Sequence, residues 1–177
     1  LQSNSGTLTL AVTPQVDGTS GNVVLSARGA DGNLVIQQTV SPTNGNLTLH
    51  GEQQIQQNAS LSTQRGNITI SGGALTMAAD ATLTAVNGGN GTVTANLSGN
   101  AAVSRIVAES MLTLNTTGGA LTDVLAAETP NLQAGQIAVS AAAGIGTSAE
   151  DFDVHTSGLT LSNGNMGTVN VENHSSA

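Results

Sequence analysis

The chain has 177 residues, a formal charge of −8 and one aromatic residue, Phe152. Three arginines and no lysine leave no basic patch for nucleic-acid phosphates or for an anionic membrane surface. The absence of cysteine removes disulfides, zinc–thiolate sites and thiol catalysis together. In chain order, residues 1–44 read as short strands with irregular turns at Pro14-Gln15-Val16-Asp17-Gly18 and Ser41-Pro42-Thr43-Asn44-Gly45. Residues 45–122 carry the most regular pattern. Residues 123–177 open with an alanine-rich stretch and Thr129-Pro130-Asn131, then return to strand at residues 137–141. Val124–Glu128 admits either one helical turn or small residues at a tight corner. The whole chain, 1–177, reads as a single domain.

One phrase recurs along it: glycine, a small polar residue, an aliphatic, usually threonine, an aliphatic. It stands at Gly6-Thr7-Leu8-Thr9-Leu10, Gly45-Asn46-Leu47-Thr48-Leu49 and Gly66-Asn67-Ile68-Thr69-Ile70, with looser copies from Gly73, Gly91, Gly119, Gly135, Gly158 and Gly167. Alternation at period two puts Leu47 and Leu49 on one face and Thr48 on the other. Threonine, valine and isoleucine suit a pleated surface because they branch at the β-carbon.

Spacing separates a solenoid from a sandwich. Leu47 to Ile68 is 68 − 47 = 21 residues, Ile55 to Leu75 is 75 − 55 = 20, and Leu61 to Leu83 is 83 − 61 = 22. Three short strands per coil of about 20 to 24 residues predict an all-β parallel β-helix. That period gives about eight coils and a rod about 40 Å long. The scarcity of rings fits a narrow lumen filled by stacked Leu, Ile, Val and Ala. Disorder is disfavoured because the aliphatics are numerous and regularly placed.

The Gly-Asn-Leu-Thr-Leu phrases, and the stretch from Gly135 through Gly144-Ile145-Gly146-Thr147-Ser148 with Leu159-Thr160-Leu161 downstream, resemble the repeats of filamentous haemagglutinin-like adhesins. These are large surface or secreted proteins of Gram-negative bacteria. The resemblance covers nearly the whole chain and implies a right-handed β-helical shaft at the bacterial cell surface or outside the cell. The chain departs from that family in lacking Asn-Pro-Asn-Gly-like turns and Arg-Gly-Asp. Asp151-Phe152 stands where many relatives have Pro-Leu.

The function expected is structural: a shaft segment, with no catalysis and no cofactor. The alternative is a self-assembling fibre subunit that stacks end to end. The partners expected are neighbouring coils of a longer chain or identical subunits, with host or surface carbohydrate or protein held through other regions. Neither nucleic acid nor membrane insertion is expected: no run of 18 apolar residues occurs. The start at Leu1 without a signal peptide reads as a processed or excised piece of something longer.

Four chemical readings compete with a plain shaft. If residues 150–155 form a strand, Phe152 and Val154 face the lumen and Asp151, Asp153 and His155 line up outside, with neighbours about 6.6 Å apart. Two carboxylates and an imidazole on one stripe suit a divalent cation, as they suit a solvated face. His50 and His174 read as isolated surface or turn residues. Sequons at Asn46, Asn67 and Asn115, with further ones at Asn58, Asn96 and Asn173, are candidate glycan acceptors, because some members of the resembling family are glycosylated there. Turn asparagine before strand threonine also makes a sequon automatically. Outward threonines Thr48, Thr69, Thr76, Thr84, Thr94, Thr113, Thr122 and Thr160 suggest ice binding, but the Thr-X-Thr copies at Thr7–Thr9, Thr82–Thr84 and Thr92–Thr94 are not at the coil period. A carbohydrate-active β-helix needs clustered carboxylates with a cation, and Arg28, Arg65 and Arg105 are far apart in sequence.

Overall fold

The structure is a computed structural model that describes residues 1–11, 21–164 and 167–174. The turn at residues 14–18 lies outside the described residues. The elements are β1 (Gln2–Ser3), β2 (Leu8–Leu10), β3 (Val23–Ala27), β4 (Asn33–Ile36), β5 (Leu47–Gln57), β6 (Leu61–Thr63), β7 (Ile68–Met77), β8 (Thr82–Ala85) and β9 (Thr92–Leu97). They continue as β10 (Ala101–Val103), β11 (Arg105–Ala108), β12 (Met111–Thr116), β13 (Leu121–Asp123), β14 (Leu132–Gln133), β15 (Gln136–Ala141), β16 (Phe152–His155), β17 (Gly158–Asn163) and β18 (Val171–Asn173). No helix occurs among the described residues, and hence none long and apolar enough to cross a membrane.

Among the described residues every strand pairing is parallel. The chain winds as a β-solenoid of about seven turns with three faces. The first face is the path β1-β3-β5-β7-β9-β12-β15-β17. The second stacks β2, β4, the later halves of β5 and β7, β10 and β13, and continues as isolated bridges through Ile145 and Val169. The third is β6-β8-β11-β14-β16-β18. Strands β5 and β7 run unbroken from the first face to the second, which joins those two faces into one twelve-stranded sheet.

The three register pairs expected from spacing are all present: Leu47 with Ile68, Ile55 with Leu75, and Leu61 with Leu83. All six side chains are buried. The coil length is less even than the sequence suggested. On the first face, successive partners Val23, Leu47, Ile68, Val93, Leu112, Ile137 and Leu159 give steps of 24, 21, 25, 19, 25 and 22 residues. The first-face path has eight strands and so seven coil-to-coil steps, which makes about seven turns rather than eight. At about 4.8 Å per turn that is about 34 Å.

Val124–Glu128 is a bend and not a helical turn. The lumen is aliphatic, with Phe152 fully buried among the third-face side chains. Corners are closed by inward hydroxyls: Thr63 Oγ1 donates to Gly66 O at 2.8 Å and Thr116 Oγ1 to Gly119 O at 2.9 Å. The recurring glycine has a steric cause at the first-face corner. A Cβ on Gly66 would stand 2.0 Å from Gly45 O, and one on Gly45 would stand 2.0 Å from Gly21 O.

Candidate functional site

The third face ends in an acidic cluster. β16 places Phe152 and Val154 in the lumen, as expected, and pairs Asp153 with Glu172 of β18. Asp153 is not an exposed outer residue: it is 2% exposed. His174 lies over it, with Nε2 2.7 Å from Asp153 Oδ1, and Asp153 N donates to Asn131 Oδ1 at 3.0 Å. Carboxylate oxygens of Glu128, Asp151, Asp153 and Glu172 all lie within 4.8 Å of one another, as do donor atoms of Asp153, Glu172 and His174.

The structure thus brings Asp151 and Asp153 together but leaves His155 outside both groups. His174, expected to be isolated, supplies the imidazole from the next coil. Sequence spacing within one strand could not show this, because the partners come from a loop and from the following coil. His155 instead lines a groove of about 590 Å³ with Glu109, Gln133 and Ser157.

Electrostatics follow from the crowding. The hydrogen bond to Asp153, aided by the charges of Asp153 and Glu172 and opposed by burial, raises the pKa of His174. Repulsion from Asp151, then Asp153, raises that of Glu128. An oxygen-rich donor set of this kind suits a hard cation such as Ca²⁺. Protonated His174 offsets part of the same charge without one.

A second carboxylate acts on the backbone. Glu109 Oε2 accepts from the amides of Asn87, Gly89 and Gly91 at 2.7, 2.8 and 3.1 Å. These bonds hold its pKa below the ordinary value. The signal in sequence is the turn-rich run Asn87-Gly88-Gly89-Asn90-Gly91 with a carboxylate one coil downstream.

Three of the sequon asparagines, Asn46, Asn67 and Asn173, accept backbone amide hydrogen bonds. Asn22, Asn46 and Asn67 form a ladder: Asn46 N donates to Asn22 Oδ1, Asn67 N to Asn46 Oδ1 (each 2.8 Å) and Thr92 N to Asn67 Oδ1 (3.0 Å). Asn96 and Asn115 are register partners on the outer side of the first face. Asn58 is exposed at a corner, and Asn173 bonds Thr156 through both side-chain atoms.

The Thr-X-Thr pairs lie on three different faces, on β2, β8 and β9. Single threonines do stack, which the Thr-X-Thr spacing did not reveal: Thr48, Thr69, Thr94 and Thr113 are successive partners. Ala138 breaks the file before Thr160. Beside this file a shallow groove of about 310 Å³ runs along Asn96, Asn115, Ala138 and Ser140.

Arg105 bonds Gln133 at 3.0 Å and Arg28 bonds Ser26 at 3.2 Å. Among the described residues the ion pairs are all between histidine and carboxylate. His50, also expected to be isolated, stands 3.0 Å from Ser71 Oγ and 3.1 Å from Glu52 Oε2. No protein-family model, curated protein or solved structure matches the chain.

Proposed function

We propose that the chain is a shaft: a stiff β-helical segment of a large surface or secreted bacterial adhesin-like protein, which spaces or displays other parts. The observation that carries this reading is the parallel coil-on-coil stacking of three faces over an aliphatic lumen. A shaft requires no catalytic step. Its partners are then the neighbouring coils, and recognition of host or surface carbohydrate or protein belongs to other regions. The resemblance of the glycine-led phrases to filamentous haemagglutinin-like repeats supports the extracellular setting.

A second reading shares the fold: identical copies stack end to end as a fibre. It rests on the same parallel pairing, which can continue from copy to copy as it does from coil to coil. The experiment is the denatured mass of the product from its native source. A species far above 17.4 kDa supports the shaft. A species near that mass, forming filaments, replaces it with the fibre.

A further inference from the structure

We propose that Ser71, His50 and Glu52 form an acyl-transfer site on the outer side of the first face, with Ser71 as nucleophile toward small carboxylic esters. This goes beyond the shaft reading and does not depend on it, since a rod can carry a reactive group on its side. His50 lies on β5 and Ser71 on β7, paired directly in register across adjacent coils. Both point outward on the first face, and the register brings Ser71 Oγ to 3.0 Å from His50 Nδ1.

Glu52 comes from the same strand as His50, two residues on. The register of β5 against β7 shifts between Gly51 and Gln54, and such irregularities re-aim side chains. Here Glu52 Oε2 reaches His50 Nε2 at 3.1 Å.

These contacts fix the roles. A carboxylate accepts only, so Nε2 carries the hydrogen and Nδ1 presents its lone pair. The Ser71 hydroxyl therefore donates to Nδ1. This is the arrangement in which a nucleophile, a base and an orienting carboxylate stand in line, here with the two ring nitrogens exchanged. The imidazole is 22% exposed and Glu52 55% exposed, so a small ester reaches the hydroxyl from solvent. Asn96 is the register partner of Ser71 on the next coil, about 4.8 Å along the axis. Its exposed amide is a neutral donor beside the place where an oxyanion develops. From Asn96 the 310 Å³ groove leads away along Asn115 and Ser140, lined by amides, hydroxyls and methyls with no charge. The exposed lining is mostly apolar and uncharged, which suits the ester of an uncharged, largely apolar acid or alcohol.

The reaction balances without a co-reactant other than water. Ser71 Oγ bonds to the acyl carbon as its proton passes to His50 Nδ1. The C–O bond to the leaving group breaks, and that group takes the proton from His50 and departs as an alcohol. Water then adds to the acyl-serine with the same base. The carboxylic acid leaves and Ser71 is restored. Glu52 is a positioning residue, acting only through the imidazole.

The test uses the 177-residue chain with p-nitrophenyl acetate as substrate and a fluorophosphonate as covalent probe, mapped by peptide mass. The expected result is labelling at Ser71 and an ester-hydrolysis rate above that of free imidazole at equal concentration. Ser71→Ala and His50→Gln should each lower the rate at least tenfold. Ser62→Ala, which removes a third-face hydroxyl that donates to Ser41 Oγ, should leave it unchanged. Glu52→Gln should lower kcat at unchanged KM, with partial rescue by Glu52→Asp. Circular dichroism of each variant checks that the coil persists. Labelling spread evenly over surface serines, or a rate unmoved by Ser71→Ala in a folded variant, overturns the proposal.

Discussion

A single side chain can serve either the coil or the solvent, and the asparagine ladder shows the first use. Asn67 Oδ1 takes the Thr92 amide of the next coil, so Asn67→Ala leaves that donor short of a partner. The expected loss is about 1 kcal/mol in a denaturant titration. The same residue is a sequon acceptor, and intact mass of native material separates the two uses: an unmodified mass leaves only the structural one. Glu109 and His174 respond to pH in opposite directions. The folded pKa of Glu109 is lowered from 4.5, so its contribution is present above that value and disappears as pH falls through the folded one. Amide protection factors of Asn87, Gly89 and Gly91 should drop in acid, and Glu109→Gln should remove the dependence. The folded pKa of His174 is raised from 6.5. Its contribution is full below 6.5 and is lost as pH rises through the folded value. Protection of the His174 amide, which bonds Val154 O at 2.8 Å, should fall on that rise.

At the scale of the strand, inside and outside are set by alternation. Ile68 is fully buried and Thr69 is exposed on β7. Ile68→Asp should therefore unfold the rod locally or wholly, since it buries a carboxylate without a partner. Thr69→Ser should change stability by no more than about 0.5 kcal/mol. Chemical denaturation of the two variants decides the assignment, and equal effects would end it. Gly66→Ala tests the corner: its new methyl meets the Gly45 carbonyl, so the coils must part there and the melting temperature should fall. Alternation and coil period made the lumen of residues 47–83 readable from the chain, because both signals are local and repeat. The glycine-led phrase was less informative than it looked. Its copy at Gly6 leads into a second-face strand, and its copy at Gly45 into a first-face strand, so one phrase marks two corners. The acidic cluster was half legible. Asp151 and Asp153 are neighbours in sequence, but Glu128, Glu172 and His174 arrive from other coils by corners of uneven length. The His50–Ser71 pair sits at a coil spacing of 21 residues, which was already in view. Alternation also put both side chains on the outer side; what sequence could not show is that they meet and that Glu52 turns back to the same imidazole.

Across the molecule, charge is unevenly spread. Residues 123–177 hold Asp123, Glu128, Glu150, Asp151, Asp153 and Glu172 with no arginine or lysine, a formal −6 of the total −8. A solenoid contacts only its nearest coils, so its stability is close to a sum of coil and interface contributions. The acidic coils should thus be first to open at low ionic strength, where screening is weakest. Hydrogen exchange along the chain at low and high salt should show protection rising with salt in β16 and β18 and little change near Ile68. The parallel pairing has a further consequence, in force. Hydrogen bonds between coils run along the rod axis, so a pull along that axis loads all the bonds of one interface at once. A pull on a loose strand end meets them one after another. The same bonds make the rod hard to stretch and easy to peel, and its strength in use depends on what holds its outermost coils in place.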